Sequence, residues 1–478
     1  MLVGRGDMVA AGAPFALLAS ALRAECGVRA QDDGAAARSK VRARVARNLP
    51  GEEGKRAAEF LGELMGVRFE GSVELTAARR DPRLMGDQIK LRWEQWLAAE
   101  CGAAPVLLVL EDLHWGDLPS VQLVDGALRS LRERPWMALA LARPEVQSVF
   151  PALWQQRDVQ AMSLRELGPR PCERLARSVL GADAPAERVA ALVAQAAGSP
   201  LYLEELLRAE AAGVGGALPG TVLAMLQSRL DAMEPDARRV LRAASVFGRT
   251  FTARGLAALL GGSDDVDAWV AELVRREVLV SAREAGPDAA LSFRHALLRD
   301  AVYGALLDDD RRLGHRLAGA WLEAAGDRES LRLAEHFDRG GAADRAALWY
   351  QRAAAQALES NDLAAAVRCA ERGAACGAAG ELLGATRAVE AEAHKWLGAY
   401  ARTEACAAEA LALLPKGDPR WYAAAGEWHH ALMMRGAREE LATLIPALCA
   451  APADDATPCE QVVTVARLAR SLLLAGRR

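Results

Sequence analysis

Short apolar runs and longer periodic segments alternate along the first third of the chain. VLLVL at 106–110, MALALA at 137–142 and VQAMSL at 159–164 are compact and β-rich. SVQLVDGALRSLRER and RPEVQSVFPALWQQR, lying between them, carry helical spacing. Strands separated by helices predict a parallel sheet whose ligand site lies at the C-terminal ends of the strands. Past about residue 170 the pattern becomes almost wholly helical. From Leu218 to Arg294, helical segments starting at Thr221, Pro235 and Asp264 precede two strand-like runs, VLVSA at 278–282 and LSFR at 291–294, joined by REAGPD. Helices closed by a hairpin predict a winged-helix unit.

From about Ala343 the chain is an Ala-rich array of paired helical segments. ALESNDLAAAVRCAERG, WLGAYARTEACAAEALALLP and LMMRGAREELATLIPAL align, with turn positions near Asn361, Gly398 and Gly436 about 37–38 residues apart. Helix pairs of that period cannot bury an apolar face singly and must stack, which predicts an α-solenoid. VVTVARLARSLLLAGRR aligns with the first helix and turn of a fourth repeat, so the sequence reads as truncated at Arg478. The expected fold class is α/β followed by all-α.

Acidic and basic residues nearly cancel, 63 against 59, for a net charge of −4. No whole-molecule field therefore draws nucleic acid or an anionic membrane. The eight cysteines are scattered and form no Cys-x-x-Cys pair, a pattern of reduced thiols rather than a disulfide framework. The N-terminus lacks a basic stretch leading into an apolar run, and no window approaches the roughly 18 apolar residues that span a bilayer. These features predict a soluble cytoplasmic protein.

The run at 106–110 drives straight into Glu111 and Asp112. A buried strand that delivers a carboxylate to its C-terminal tip can hold Mg²⁺, and a second acid can polarise an attacking water. A core strand entering a solvated turn produces the same text. The surroundings are more specific: VLLVLEDLHWGDLPSVQLVDGAL, MALALARPEV, GSPLYLEELLRA and FRHALLRDAVY follow in that order. This set resembles the STAND signalling ATPases, an AAA-related class. AAGAPFALLASALR, FLGELMGV at 60–67 and LGHRLAGAWLEAAG at 313–326 resemble the ATPase-plus-repeat region behind the kinase domain of bacterial multidomain serine/threonine protein kinases.

The resemblance implies an incomplete P-loop-NTPase-like domain at 1–165, a helical lid at 166–217, a winged helix at 218–294, a helical connector at 295–342 and TPR-like repeats at 343–478. It implies ATP or ADP with Mg²⁺ as cofactor. Glu111 and Asp112 would be the Walker B pair, with Glu111 as metal ligand. Arg143 would be the sensor of the γ-phosphate, Pro200 in Gly198-Ser199-Pro200 would lie near the adenine, and His295 would meet the β-phosphate of ADP. His114 and Trp115 are expected only to position the next helix. The repeats imply a protein partner, and self-association is a further expectation.

The phosphate cradle is missing. Gly-x-x-x-x-Gly-Lys-Ser/Thr wraps phosphates in backbone N–H groups while Lys reaches the β and γ oxygens. None of the five lysines, Lys40, Lys55, Lys90, Lys395 and Lys416, lies in such a motif, and GEEGKR at 51–56 puts Leu49 and Arg56 at the positions for Gly and hydroxyl. In the resembled family, text like VGRGDMVAAGAPF follows the P-loop strand and helix. The chain is thus expected to begin at the end of the second strand, leaving residues 104–112 short of backbone partners. Kinase motifs are absent too. The expected function is a regulatory scaffold unable to hydrolyse ATP alone. Three alternatives stay open: an active ATPase switch whose N-terminal part lies outside this chain, a DNA-binding regulator acting through 218–294, and a repeat protein with a vestigial α/β cap.

Overall fold

The structure, a computed structural model, describes all residues except 10, 30–31, 80, 212–220, 232, 263–264, 282–288, 328, 437–460, 467–468 and 470–478. The chain is mostly helical and divides into two compact units, Met1–Arg157 with His315–Arg478, and Asp158–Gly314. Among the described residues no helix is long and apolar enough to cross a membrane.

In the first unit β1 (Leu2–Arg5), β2 (Val106–Glu111) and β3 (Trp136–Ala140) form a parallel sheet in the order β1-β2-β3. Its register sets Arg5 beside Glu111 and Leu110 beside Ala140. Leu108 and Leu110 are fully buried in a core that also holds Phe60, Leu61, Phe69 and the neighbouring, mutually tilted rings of Trp93 and Trp96. Burying each such side chain contributes about 1.5–3 kcal/mol. Both tryptophans lie on the helix Pro82–Ala103. It begins where it does because Asp81 accepts the N–H groups of Arg83 and Leu84 while Pro82 has none to satisfy. Arg44 clamps Glu100 of that helix with two bonds of 2.8 and 2.6 Å, fixing it against the helix Gly34–Ala46.

The sheet departs from expectation in two respects. β2 is not short of partners, being paired along both edges. The open edges belong instead to β1 and β3, each of which pairs only with β2 among the described residues. The run at 159–164 forms no strand, and Val159, Met162 and Leu164 are exposed. Apolar content there is not matched by a neighbouring strand to take up the backbone groups. RPEVQSVFPALWQQR yields a single helical turn, Val146–Val149, bracketed by Pro144 and Pro151, which restrict helix propagation on either side.

The same unit contains the repeats: Ser330–Arg339, Ala343–Glu359, Leu363–Ala375, Gly380–Trp396, Tyr400–Leu413 and Pro419–Arg435, each packed on the next. Fully buried small side chains such as Ala346, Ala354, Ala357, Ala366 and Ala370 line the contacts and let the helices approach closely. Asn361, Gly398 and Gly436 all adopt left-handed φ angles of 59, 76 and 72°. These end one helix and redirect the chain, so the sequence period is a period of turns. The aligned text beyond Gly436, and most of the fourth segment, lie outside the described residues.

The second unit opens with helices Pro169–Leu180, Ala186–Ala196 and Pro200–Ala211 around Cys172, Leu192, Leu203 and Leu206. Helices Val222–Asp231, Pro235–Phe247, Ala253–Leu259 and Val266–Arg275 follow. With them goes an antiparallel sheet of β4 (Thr250–Phe251), β5 (Leu279–Ser281) and β6 (Leu291–Phe293), ordered β4-β6-β5. Two-residue β4 carries no alternation that a sequence pattern could register. REAGPD lies outside the described residues.

Hydrogen-exchange mass spectrometry of the full chain should place residues 107–110 among the slowest to exchange, with 137–140 at least about ten-fold faster. Equal protection of the two segments would mean that the outer edge of β3 is covered.

Candidate functional site

The loops that follow β1 and β2 are organised by Asp117. One oxygen of its carboxylate accepts the N–H groups of Ser120 and Phe15, both at 2.8 Å, and the other accepts that of Leu17 at 3.1 Å. Ser120 Oγ adds a bond from Leu18 N–H at 3.2 Å. The stretch AAGAPFALLASALR is thereby tied to the start of the helix Leu118–Ser130. Burial pushes the Asp117 carboxyl up to about 6 against the pull of its N–H donors. The sequence reading passed over Asp117; its signal was Asp-x-Pro-Ser, an N-cap with Pro placed inside the first turn.

Glu111 and Asp112 occupy the tip of β2. Glu111 Oε2 accepts Arg5 Nε at 2.8 Å, an ion pair between register partners on adjacent strands. Gly6 N–H donates to the Glu111 carbonyl at 2.8 Å. A Cβ at Gly6 would stand 2.3 Å from the Asp112 carbonyl oxygen, so only glycine passes there. Asp112 is left-handed, φ 52 and ψ 43°, at a cost of about 1 kcal/mol that short polar side chains tolerate best. The chain then enters the 3₁₀ turn Leu113–Trp115.

Arg143 reaches the same cluster, just beyond β3. Its backbone N–H donates to His114 Nδ1 at 3.3 Å, and its guanidinium lies over the Trp115 ring, 5.5 Å from the centroid. The His114 and Trp115 rings are in tilted contact, centroids 4.5 Å apart. His114 must be neutral to accept this bond, with its proton on Nε2. Burial lowers its pKa in agreement. His114 and Trp115 therefore hold the arginine as well as starting the turn, a role the sequence reading missed.

Pro200 and His295 lie in the second unit. Pro200 opens its helix after Gly198, whose carbonyl accepts Leu167 N–H at 2.8 Å. His295 caps the helix Ala296–Gly304, with Nε2 buried and 3.9 Å from Glu204 Oε2. Burial lowers its pKa. Glu204, one turn beyond Pro200, also pairs with Arg208 at 2.7 Å. Its place near His295 was not anticipated. Glu111, Asp112 and Arg143 are thus brought together in one unit, and in the other His295 lies near Glu204 of the helix that Pro200 opens.

On their own these residues do not fit Mg²⁺-ATP. One carboxylate oxygen of Glu111, Oε2, is paired with the Arg5 guanidinium, whose charge disfavours a divalent cation beside it. The sequence supplies no Gly-rich cradle for the phosphates.

No protein-family model matches the chain. It is 27% identical over 300 residues to an uncharacterised protein of Rhizobium meliloti (strain 1021), a match covering 56% of this chain and 28% of the relative. The chain therefore spans less than a third of that relative's length. Among solved structures, a Signal Transduction ATPase with Numerous Domains (STAND) protein with a tetratricopeptide repeat sensor, from Pyrococcus horikoshii, is similar at a TM-score of 0.44 and 12% identity, covering 91% of this chain and 70% of that one.

Asp117→Ala leaves three backbone N–H groups unpaired and removes a helix cap. It should cost about 2–4 kcal/mol of stability, read from urea unfolding; a loss within error of zero would contradict the anchoring role. For His114 the folded pKa lies below the unfolded value, so its contribution is complete above about pH 6.5 and is lost as pH falls through the folded value. NMR should show the imidazole titrating below about 6.5 together with the Arg143 amide. An independent Arg143 shift would contradict the contact.

Proposed function

We propose that this chain is the regulatory and scaffold portion of a STAND-type signal-transduction protein. In this reading it does not hydrolyse ATP by itself and offers its helical repeats to a protein partner. The observation that carries the reading is the Arg5–Glu111 ion pair at 2.8 Å, in a sequence without a phosphate cradle. The first acid expected at a Walker B site is committed to joining β1 to β2. The ordered motif text supports the wider assignment, with residues 1–165 as the partial nucleotide-binding domain and 166–217 as its lid. Residues 218–294 act as a winged-helix switch element, supported by helices accompanied by the antiparallel order β4-β6-β5. Residues 343–478 carry the partner surface, supported by the stacked helix pairs.

Steady-state ATPase assays on the purified chain with Mg²⁺ should give no turnover above background. Turnover that disappears in the Glu111→Gln/Asp112→Asn double variant would overturn the proposal, because the two acids would then be working as catalytic groups.

A further inference from the structure

Three side chains with metal-ligand chemistry meet within the repeat stack, on residues the functional reading leaves unused. Glu390 and His394 stand four apart on the helix Gly380–Trp396 and so share one face. Cys406 comes from the next helix, Tyr400–Leu413. One carboxylate oxygen, one ring nitrogen and the sulfur all lie within 4.8 Å of one another.

The surroundings favour an ion over a simple polar contact. Both ring nitrogens of His394 are buried without a hydrogen-bond partner, and its Nε2 stands 3.6 Å from Glu390 Oε1. An imidazole withdrawn from water normally finds a partner for at least one nitrogen. The other Glu390 oxygen is held by Arg387 at 2.6 Å. Arg387 is balanced by Glu409 at 2.7 Å. That arrangement orients the carboxylate and leaves Oε1 facing His394, as an outer ion pair orients a metal ligand. Cys406 is buried beside them.

We propose that Glu390, His394 and Cys406 bind one divalent transition-metal ion of the zinc class between these two helices. A thiolate and an imidazole suit zinc and exclude magnesium and calcium, and three protein ligands leave a fourth position for water. With metal–ligand bonds of about 2.0–2.3 Å, tetrahedral donors stand roughly 3–4 Å apart, so the three groups need to close only slightly. On binding, the Cys406 thiol gives up its proton to solvent and the ion takes its place beside Glu390. His394 binds neutral, and one proton leaves per ion. The ion would pin the helix pair and make the stacking of this repeat metal-dependent.

The test is a titration of the metal-free full chain with Co²⁺, followed by thiolate-to-cobalt charge-transfer absorption and then by displacement with Zn²⁺. A saturable band at one ion per chain is expected. It should vanish in Cys406→Ser, and cobalt should bind at least ~10-fold more weakly in His394→Gln. Absence of the band in the wild-type chain, or its persistence in Cys406→Ser, overturns the proposal. Because a core variant can fail to fold, the wild-type chain gives a second readout: Zn²⁺ should raise its thermal midpoint, and an unchanged midpoint would also count against the site.

Discussion

Three backbone N–H groups converge on the buried carboxylate of Asp117, and the geometry at the tip of β2 follows from that convergence. Fixing Phe15 and Leu17 fixes the start of the helix Ala16–Cys26. The Leu17 carbonyl then lies so close to Gly4 that a Cβ there would stand 2.6 Å from its oxygen. β1 is thereby seated, and Arg5 arrives opposite Glu111. A carboxylate taken out of water is costly unless its lone pairs are filled. Here backbone donors from two chain segments fill them, so the cost is offset only when both segments are in place.

This constraint gives the acids a structural use. Glu111 bonds to its strand neighbour, Asp112 makes the left-handed bend, and His114 with Trp115 secures the backbone and guanidinium of Arg143. Two of the groups expected to meet a nucleotide in this unit, Glu111 and Arg143, are paired with residues at the strand ends. The repeats rest on a different principle. Their alanine-lined contacts depend on close helix approach, and the left-handed turns at Asn361, Gly398 and Gly436 set the period.

The sequence was most legible where a side-chain pattern coincides with a repeated backbone event. VLLVL became the central strand, and the spacing of Asn361, Gly398 and Gly436 gave the repeat. It was least legible where pairing decides. VQAMSL has the composition of a strand, yet nothing in the text says whether a neighbour will bond to it. The two-residue β4 is a strand only because β6 lies beside it. At the site, Glu111, Asp112 and Arg143 were singled out as candidates by motif order. Their partners Arg5 and His114 were not, because those contacts join residues more than a hundred and about thirty positions apart. Glu204 looks in sequence like an ordinary helix acid, and Asp117 like an ordinary N-cap with no sign of its bonds to Phe15 and Leu17.

In the proposed reading the acids at the tip of β2 serve the strand junction and not a bound nucleotide. Hydrogen exchange over residues 107–117, compared with and without millimolar Mg²⁺-ATP, tests it most directly. The claim predicts identical exchange in the two samples. Protection of this segment by Mg²⁺-ATP, lost in Glu111→Gln, would contradict it.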